Sequence, residues 1–399
     1  MNDDSIEVHG AHVYDATGAI SEPIYLSATY RHPGFRQSTG YDYGRCANPT
    51  RAVLEKTLAM LERGERAWGV ASGMAAVNIV LMLLAPGDHV VFGSDLYGGT
   101  VRLANEVYRR YGIEASYVDT SRLDCVEAAL RPETKLVFIE TPSNPMMLVS
   151  DIGAIAALAH ARGALLAVDN TFLSPHFQKP LTLGADIVVH SGTKYLCGHN
   201  DVIAGFLVVR EAANELARRI DRLVVSSGPM LSSMDAWLML RSLKTLGVRV
   251  ERQAANALAI ASWLRTQPRV KAVYYPGLPD HPGHALQERQ ATGSGGMVSF
   301  KVESAALAQA MLGRVSLISF AESLGGVETL LTYPRVQTHA EMPEELLRET
   351  GLDDTLLGLA LIHTVLARID EIEAVTKHDV IAFLDWVAQQ VGRRVAVVG

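Results

Sequence analysis

The stretch HSGTKYLCGH, residues 190–199, directly follows an apolar run, and the stretch LLAVDNTF, residues 165–172, ends another such run. This arrangement places Lys194 and Asp169 at the carboxyl ends of two strand-like segments. A lysine amine there can condense with a cofactor aldehyde as a Schiff base, and a carboxylate can keep a pyridine nitrogen protonated. Taken singly, the lysine fits a solvated cation and the aspartate fits a helix N-cap or a turn. Together they indicate pyridoxal phosphate (PLP) chemistry.

Apolar runs of strand length recur along the first half of the chain, separated by helical patterns. Because the runs are continuous rather than alternating, they predict strands that are covered on both faces, and therefore a mostly parallel α/β sheet. Ligands bind outside the carboxyl ends of such strands. The runs are residues 66–73, 88–93, 114–119, 135–140, 164–170, 186–192 and 204–210.

Helical patterns and further strand-like runs continue along the chain. Residues 50–64 read TRAVLEKTLAMLERG, with a helical spacing of apolar residues and a closing glycine. One long helical stretch, at about residues 232–264, leads into a second, smaller α/β domain, in which residues 270–277 and 295–302 are expected to be strands. Two domains also suit a chain of 399 residues.

The composition is that of an ordinary globular enzyme. Hydrophobic residues make up 48% and charged residues 20% of the chain, and the net charge is −7 without a basic run. These values argue against disorder and against nucleic acid or anionic membrane surfaces as partners. The segment MNDDSIEVHG has no targeting pattern, and no apolar run reaches the ~20 residues that span a bilayer. We expect a cytoplasmic protein without a metal site.

Loops after the strands contain candidate ligands for the cofactor phosphate. Ser72, Gly73 and Met74 follow the first strand and open a helix, whose N–H groups and dipole can bind a phosphate. An ordinary strand-to-helix turn would have the same sequence pattern. Ser191 and Thr193 flank the lysine and can add hydroxyl donors.

Two other loops contain candidates for binding the cofactor ring. Tyr97, in DLYGGT, is placed to stack on the pyridine ring, although a half-buried core tyrosine would have the same surroundings. Asn144, in ETPSNP, can donate a hydrogen bond to the phenolic oxygen of the cofactor, and the same residues are equally typical of a turn. The residues alone leave both alternatives open.

As a set, the motifs resemble the Cys/Met-metabolism PLP enzymes, which include cystathionine gamma-synthase, cystathionine gamma-lyase, methionine gamma-lyase and the homoserine-ester sulfhydrylases. The motifs are YGRCANPT, VASGMAA, DLYGGT, ETPSNP, AVDNTF, HSGTKYLCGH, AESLGGVETL and QTHAEMP, and the resemblance runs from about Ser21 to about Leu357. It implies an aspartate aminotransferase-like fold (fold type I) with a seven-stranded sheet. It also implies a carbon–sulfur lyase or transferase of cysteine and methionine metabolism and amino-acid biosynthesis. Such a transsulfuration enzyme eliminates or replaces a γ-substituent on sulfur amino acids or O-acyl-homoserine.

The resemblance assigns roles to residues of this chain. Lys194 would be the Schiff-base lysine and the base that moves protons, Asp169 the pyridinium partner, and Tyr97 the stacking ring and the acid for the leaving group. Tyr43 and Arg45 match a family motif that reaches the phosphate of the neighbouring subunit. A homodimer at least, and usually a homotetramer, is therefore implied.

The subclass is narrowed by two short segments. Glu322, Ser323 and Leu324 are candidate substrate contacts, and they look more like the corresponding residues of cystathionine synthases and lyases. Gly99 favours the same subclass, because methionine gamma-lyases typically have a cysteine at that position. These residues do not separate a synthase from a lyase.

The resemblance also divides the chain into three parts, the last of which is atypical from residue 358 onward. The parts are an arm that reaches the neighbouring subunit (1–50), the PLP-binding large domain (51–245) and the C-terminal domain (246–399).

The chain departs from the family after GLDDTLL. Where the family reads R-L-S-V-G-x-E, with an arginine that binds the substrate α-carboxylate, this chain has Gly358 followed by LALIHT. Residues 368–392 instead look similar to a segment of adenylosuccinate lyases; an amphipathic terminal helix or a mis-assembled gene end would also account for them. Two hypotheses follow. The protein is an active transsulfuration enzyme, or it binds PLP with little such activity because the substrate carboxylate lacks its paired cation.

Overall fold

The computed structural model describes residues 2–12, 17–315, 318–340 and 343–360. The strands of its larger sheet are β1 (Arg66–Val70), β2 (His89–Gly93), β3 (Glu114–Val118), β4 (Thr134–Glu140), β5 (Leu165–Asp169), β6 (Ile187–Ser191) and β7 (Gly205–Val209). Their order across the sheet is β1-β7-β6-β5-β4-β2-β3, and only β7 runs antiparallel to its neighbours. Each apolar run predicted as a strand coincides with most or all of one of these strands, which confirms the mostly parallel α/β sheet.

A second, smaller sheet follows in the C-terminal part. Its strands are β8 (Val270–Tyr274), β9 (Met297–Val302), β10 (Ser319–Phe320), β11 (Leu330–Thr332) and β12 (Leu356–Ala360), and their order is β10-β11-β12-β9-β8. The strands β8 and β9 were predicted. The other three were not, because β10 and β11 are too short to give an apolar pattern and β12 lies where the sequence departs from the family.

Helices cover both faces of the larger sheet, so its strands are buried on both sides. Helices α3 and α8 pack on one face, and α2, α5, α6 and α9 pack on the other. The helices are α1 (Asp3–His9), α2 (Pro49–Leu61), α3 (Gly73–Leu81), α4 (Gly98–Arg102), α5 (Leu123–Ala129), α6 (Ile152–Ala161), α7 (Ser174–Phe177), α8 (Glu215–Ser227), α9 (Ser233–Leu243), α10 (Leu246–Leu264), α11 (His284–Gln290), α12 (Ala305–Leu312) and α13 (Glu344–Thr350).

Helix α2 shows why the local sequence folds as predicted. The Asn48 side chain accepts a hydrogen bond from the Arg51 N–H and caps the helix, and Pro49 occupies its first turn. Leu54 and Leu58 are fully buried on its inner face. The helix packs against β1, which is an edge strand of the larger sheet.

The long helical stretch predicted at about residues 232–264 is helical, but it consists of two helices, α9 and α10. Thr245 lies between them with a φ of −120°, outside the helical range. The buried Arg249 explains the break: its guanidinium donates to the Ser242 carbonyl at 3.1 Å and to Thr245 Oγ1 at 3.1 Å. These bonds replace those that a continuous helix would make.

Within the described residues, no helix combines the length and apolarity needed to cross a membrane. The segment 368–392, which resembles adenylosuccinate lyases, lies outside the described residues. The predicted division at residues 50 and 245 stays a prediction.

Candidate active site

A cavity of about 190 Å³ lies at the carboxyl ends of β4, β5 and β6 and the amino terminus of α3. It brings together most of the predicted site residues: Ser72, Gly73, Met74, Tyr97, Asn144, Asp169, Ser191, Thr193, Lys194 and Leu324. Further lining residues were not predicted: Val77, Thr100, Glu140, Thr171, Phe172 and Ile203. Loops that are far apart in the sequence therefore meet at one cavity, as expected at the carboxyl ends of parallel strands.

Lys194 extends into this cavity from the turn that follows β6. Its Nζ lies 3.1 Å from Ser323 Oγ, so a residue between β10 and β11 of the second sheet holds the amine. Burial lowers the pKa of Lys194, while the nearby Glu322 carboxylate raises it. A partly desolvated amine of this kind is suited to condense with an aldehyde and to accept protons.

Asp169 ends β5 and keeps one carboxylate oxygen available. Its Oδ1 accepts hydrogen bonds from Thr171 N at 3.0 Å and from Thr171 Oγ1. Its Oδ2 has no hydrogen-bond partner among the described residues and can accept a bond from a protonated pyridine nitrogen. Burial raises the pKa of Asp169, whereas the Thr171 hydrogen bonds and the nearby His190 lower it.

Glu140 is a second acid in the cavity, which the sequence analysis missed. It ends β4 and is the register partner of Asp169 on β5. Burial and then the charge of Asp169 raise the pKa of Glu140 well above its ordinary value. Glu140 Oε2 also accepts a hydrogen bond from Tyr97 N at 3.2 Å, which holds the loop of the predicted stacking ring. The signal was available, because Glu140 is the last residue of a predicted strand.

The first turn of α3 fits a phosphate group. Ser72 caps the helix by accepting a hydrogen bond from Ala75 N, and the N–H groups of Gly73 and Met74 have no acceptor within the described part of the chain. A Cβ on Gly73 would lie 2.8 Å from the Ser191 Cβ, so glycine allows the helix and the end of β6 to meet. The cavity residues therefore fit PLP: the helix terminus would bind its phosphate, Lys194 would bind its aldehyde carbon, and Asp169 would accept a hydrogen bond from its protonated ring nitrogen.

The two predicted hydroxyl donors differ in their surroundings. Ser191 Oγ has no hydrogen-bond partner among the residues described and can donate to a phosphate. The Thr193 hydroxyl already bonds the backbone of Ala204, as a donor at 3.3 Å and as an acceptor at 3.1 Å. Ser191 is therefore the better placed donor.

Tyr97 and Asn144 face the cavity from the loops that follow β2 and β4. The Tyr97 side chain is 42% exposed, which leaves its ring available to a ligand. A Cβ at Gly99 would lie 2.5 Å from Tyr97 Cε1, so this loop has no room for the cysteine of methionine gamma-lyases without moving the ring. The stacking role of Tyr97 stays a prediction.

The remaining predicted residues lie outside the cavity lining. Tyr43 and Arg45 are exposed, with the Arg45 Cζ 5.4 Å from the Tyr43 ring centroid, and neither lines the cavity of its own chain. Glu322 is exposed beside Ser323, which contacts Lys194.

Gly358 occupies β12, on the strand face that also carries Ala360, which belongs to the same core cluster as the cavity residue Leu324. A Cβ at position 358 would lie 2.6 Å from Thr332 Oγ1 and 4.0 Å from Ser299 Oγ. Ser299 Oγ is buried and has no hydrogen-bond partner in the described part of the chain. An arginine here would begin on the face of β12 that packs on the cluster containing Leu324, and Thr332 would have to turn away.

Comparisons with known proteins agree with this geometry. Residues 4–363 match the family described as Cys/Met metabolism PLP-dependent enzyme. The chain is 47% identical to cystathionine gamma-lyase of Bacillus subtilis over 362 residues, which cover 90% of this chain and 95% of that protein. It is 45% identical to cystathionine beta-lyase of Lactococcus lactis over 355 residues, covering 89% and 93%. A crystal structure of cystathionine gamma synthase from Xanthomonas oryzae in complex with cystathionine matches with a TM-score of 0.91 and 40% identity, covering 96% and 98%.

Proposed function

Because the chain belongs to the Cys/Met metabolism PLP-dependent enzymes, we propose that it cleaves the carbon–sulfur bond of cystathionine. The protein has the type I fold of PLP enzymes, and it is a PLP-dependent enzyme of transsulfuration type that acts on a small amino acid. Of the two hypotheses from the sequence, the active enzyme fits these relatives, and nothing in the comparisons favours the inactive alternative.

The observation that carries the proposal is the surroundings of Lys194. Its amine is partly desolvated, lies 3.1 Å from Ser323 Oγ, and shares one cavity with the available oxygen of Asp169. An amine that can accept a proton, next to a carboxylate held in place by hydrogen bonds, suits proton transfer at the α-carbon of a substrate.

When bound, PLP supplies a conjugated ring that accepts electrons from the α-carbon of the substrate. Lys194 Nζ then takes and returns protons, because burial favours its neutral form. Ser323 Oγ limits the movement of Nζ. Asp169 holds a proton at the pyridine nitrogen through its Oδ2, and Tyr97, at the edge of the cavity, delivers a proton to the departing sulfur.

Glu322 supports the choice of cystathionine. This substrate carries a second ammonium group at its distal end, and an exposed carboxylate next to the residue that holds Lys194 can pair with it. Because Glu322 is exposed, such an ion pair is screened by solvent and contributes modestly to binding.

We expect Glu322→Gln to raise the Michaelis constant for cystathionine about two- to fivefold, since an exposed ion pair contributes up to about 1 kcal/mol. The turnover number should change less, because Glu322 does not touch the reacting carbon in this proposal. Steady-state kinetics measures both constants. Glu345→Gln, which removes an exposed carboxylate on α13, is the matched control and should leave the Michaelis constant unaltered. Equal effects of the two substitutions would contradict a direct role for Glu322.

A Gly358→Arg substitution tests how the substrate carboxylate is bound. An anion that enters a dry cavity without a paired cation loses hydration, so we expect the added guanidinium to lower the Michaelis constant at least about tenfold, or roughly 1.4 kcal/mol. Because Thr332 Oγ1 would crowd the new side chain, the substitution is made with and without Thr332→Ala. Thr332→Ala alone is the control.

An unchanged Michaelis constant in the double variant, with brisk wild-type turnover, would mean that another group already binds the carboxylate. Arg335 is one candidate, and its guanidinium now donates to Glu344. The other candidate, Arg368, lies outside the described residues.

The test of the proposed reaction is product analysis with cystathionine. Cleavage on one side of sulfur releases cysteine and 2-oxobutanoate with ammonia, and cleavage on the other side releases homocysteine and pyruvate with ammonia. Mass spectrometry of the oxo acid distinguishes them. Absence of both, combined with formation of cystathionine from cysteine and an O-acyl-homoserine, would instead identify a synthase.

We also propose a homodimer at least, and a homotetramer as the complete assembly, in the cytoplasm. The segment before α2 supports an interface, because it exposes apolar side chains: Leu26 is 75% and Phe35 is 89% exposed. Tyr43 and Arg45 would then complete the phosphate site of the neighbouring subunit. Native mass spectrometry measures the assembly, and a monomer with full activity would contradict this proposal.

A further inference from the structure

The motif QTHAEMP has no role in the reaction described so far. Its histidine, His339, is 1% exposed, although it lies in an irregular segment after β11. A buried imidazole outside the cavity lining requires partners for both ring nitrogens. One partner is the neighbouring Thr338, and the other lies in a loop of the larger sheet.

His339 joins the second sheet to two loops of the active site. Its Nε2 lies 3.1 Å from the Asn144 carbonyl oxygen, and the backbone of Leu96 is close enough to raise the pKa of the ring. A carbonyl can only accept, so Nε2 carries the proton. The Nδ1 then accepts a hydrogen bond from Thr338 Oγ1 at 2.7 Å. Burial lowers the pKa of His339 to about 4, in agreement with this neutral tautomer.

The loop that contains Asn144 is fixed from its other side by Asp95. The Asp95 Oδ2 accepts hydrogen bonds from Ser143 Oγ and from Met146 N at 2.9 Å, on either side of Asn144. His339 supplies the third attachment, at the Asn144 carbonyl itself. The peptide that carries the Asn144 side chain is thereby held at three points.

The neighbouring backbone makes the same connection to the Tyr97 loop. A Cβ on Gly98 would lie 2.5 Å from the Thr338 carbonyl oxygen, so the two segments are in direct contact. Leu96 and Gly98 flank Tyr97, so Thr338 contacts the Tyr97 loop at Gly98 and His339 lies near the same loop at Leu96. The segment of Thr338 and His339, which lies between β11 and β12, thus contacts both loops that are predicted to bind the cofactor ring.

We infer that His339 is a positioning residue that fixes Asn144 and Tyr97 against the cofactor ring and couples the second sheet to the catalytic cavity. The inference rests on the proposed function, since it assigns the Asn144 amide to the phenolic oxygen of PLP and the Tyr97 ring to its face. His339 touches neither substrate nor cofactor. Its effect passes through the backbone of the two loops.

The test compares His339→Leu with His339→Gln and with a matched control. His339→Leu removes the donor to the Asn144 carbonyl, whereas the Gln Nε2 amide can replace it. His89→Leu is the control, because His89 is also 1% exposed and bonds Thr134 and Ser116 at the amino-terminal end of the larger sheet, away from the cavity. The readouts are the visible absorption band of bound PLP, the dissociation constant for PLP, and the turnover number with cystathionine.

We expect His339→Leu to shift the absorption band, to weaken PLP binding about tenfold and to lower the turnover number about tenfold, while His339→Gln restores most of each. His89→Leu should lower thermal stability without these changes. Two results would overturn the inference: a His339→Leu protein that matches the wild type in band and affinity, or equal effects of His339→Leu and His89→Leu. If His339→Leu does not fold, Thr338→Val decides by the same readouts, because it removes the hydrogen bond to His339 Nδ1. An unshifted band and unaltered PLP affinity in Thr338→Val would then contradict the inference.

These results are separable from a failure of the proposed function. A wild-type protein that binds PLP and does not cleave cystathionine contradicts the proposed reaction, yet the absorption band and PLP affinity of the His339 variants still test the positioning role. A wild-type protein that cleaves cystathionine, with His339→Leu unaltered, contradicts the positioning role alone.

Discussion

Lys194→Ala should abolish covalent attachment of PLP and all turnover of cystathionine, while the protein remains folded. The amine is the one lysine nitrogen among the residues lining the cavity, so no other group there can condense with the aldehyde. Removal of a desolvated amine should cost little stability, because its burial already disfavours its charged form. Visible absorbance, cofactor content after gel filtration and thermal unfolding measure the three effects.

Lys135→Ala is the matched control for this substitution. Lys135 is exposed on β4, near the amino-terminal end of the sheet, and should bind cofactor and turn over substrate as the wild type does. Covalent cofactor retained by the Lys194→Ala protein would show that another lysine forms the Schiff base, and the assignment of the cavity would then be wrong.

Asp169→Ala should weaken PLP binding about ten- to hundredfold, since a hydrogen bond to a charged group is worth about 1.5 to 3 kcal/mol. It should also slow exchange of the substrate α-proton by orders of magnitude, because nothing then holds the proton on the pyridine nitrogen. Proton exchange in deuterated water, followed by nuclear magnetic resonance, measures the second effect directly. Asp169→Asn keeps the shape of the side chain but removes its charge, and it should slow α-proton exchange as Asp169→Ala does.

Asp186→Asn is the control for this pair of variants. Asp186 accepts hydrogen bonds from Leu166 N and His160 at the amino-terminal end of the same strands. The substitution should lower stability and leave cofactor affinity unaltered. Near-normal α-proton exchange in Asp169→Ala would mean that Asp169 only terminates β5.

Much of the larger sheet could be predicted, because its strands are buried on both faces and appear as continuous apolar runs. Lys194 and Asp169 could be found for the same reason, since each follows such a run and the carboxyl ends of parallel strands meet. The first turn of α3 could also be found, because Ser72 and Gly73 have the chemistry that a phosphate needs.

What could not be predicted depends on contacts between distant segments. His339 lies in an irregular segment, and only the folded chain places it against the loops of Leu96 and Asn144. The break at Thr245 is set by the Arg249 guanidinium, which no pattern of helical spacing reveals. Glu140 was missed for a different reason. Its position at a strand end is visible in the sequence, but only the strand register shows that it lies beside Asp169.

The central claim is that PLP is bound covalently at Lys194, in the cavity at the carboxyl ends of β4, β5 and β6. The most direct measurement reduces the PLP-loaded protein with borohydride, digests it, and locates the pyridoxyl group by mass spectrometry. We predict that the modified peptide contains Lys194 and that no other peptide is modified to a comparable extent. A pyridoxyl group on another lysine, or no modification at saturating PLP, would contradict the assignment of this cavity as the active site.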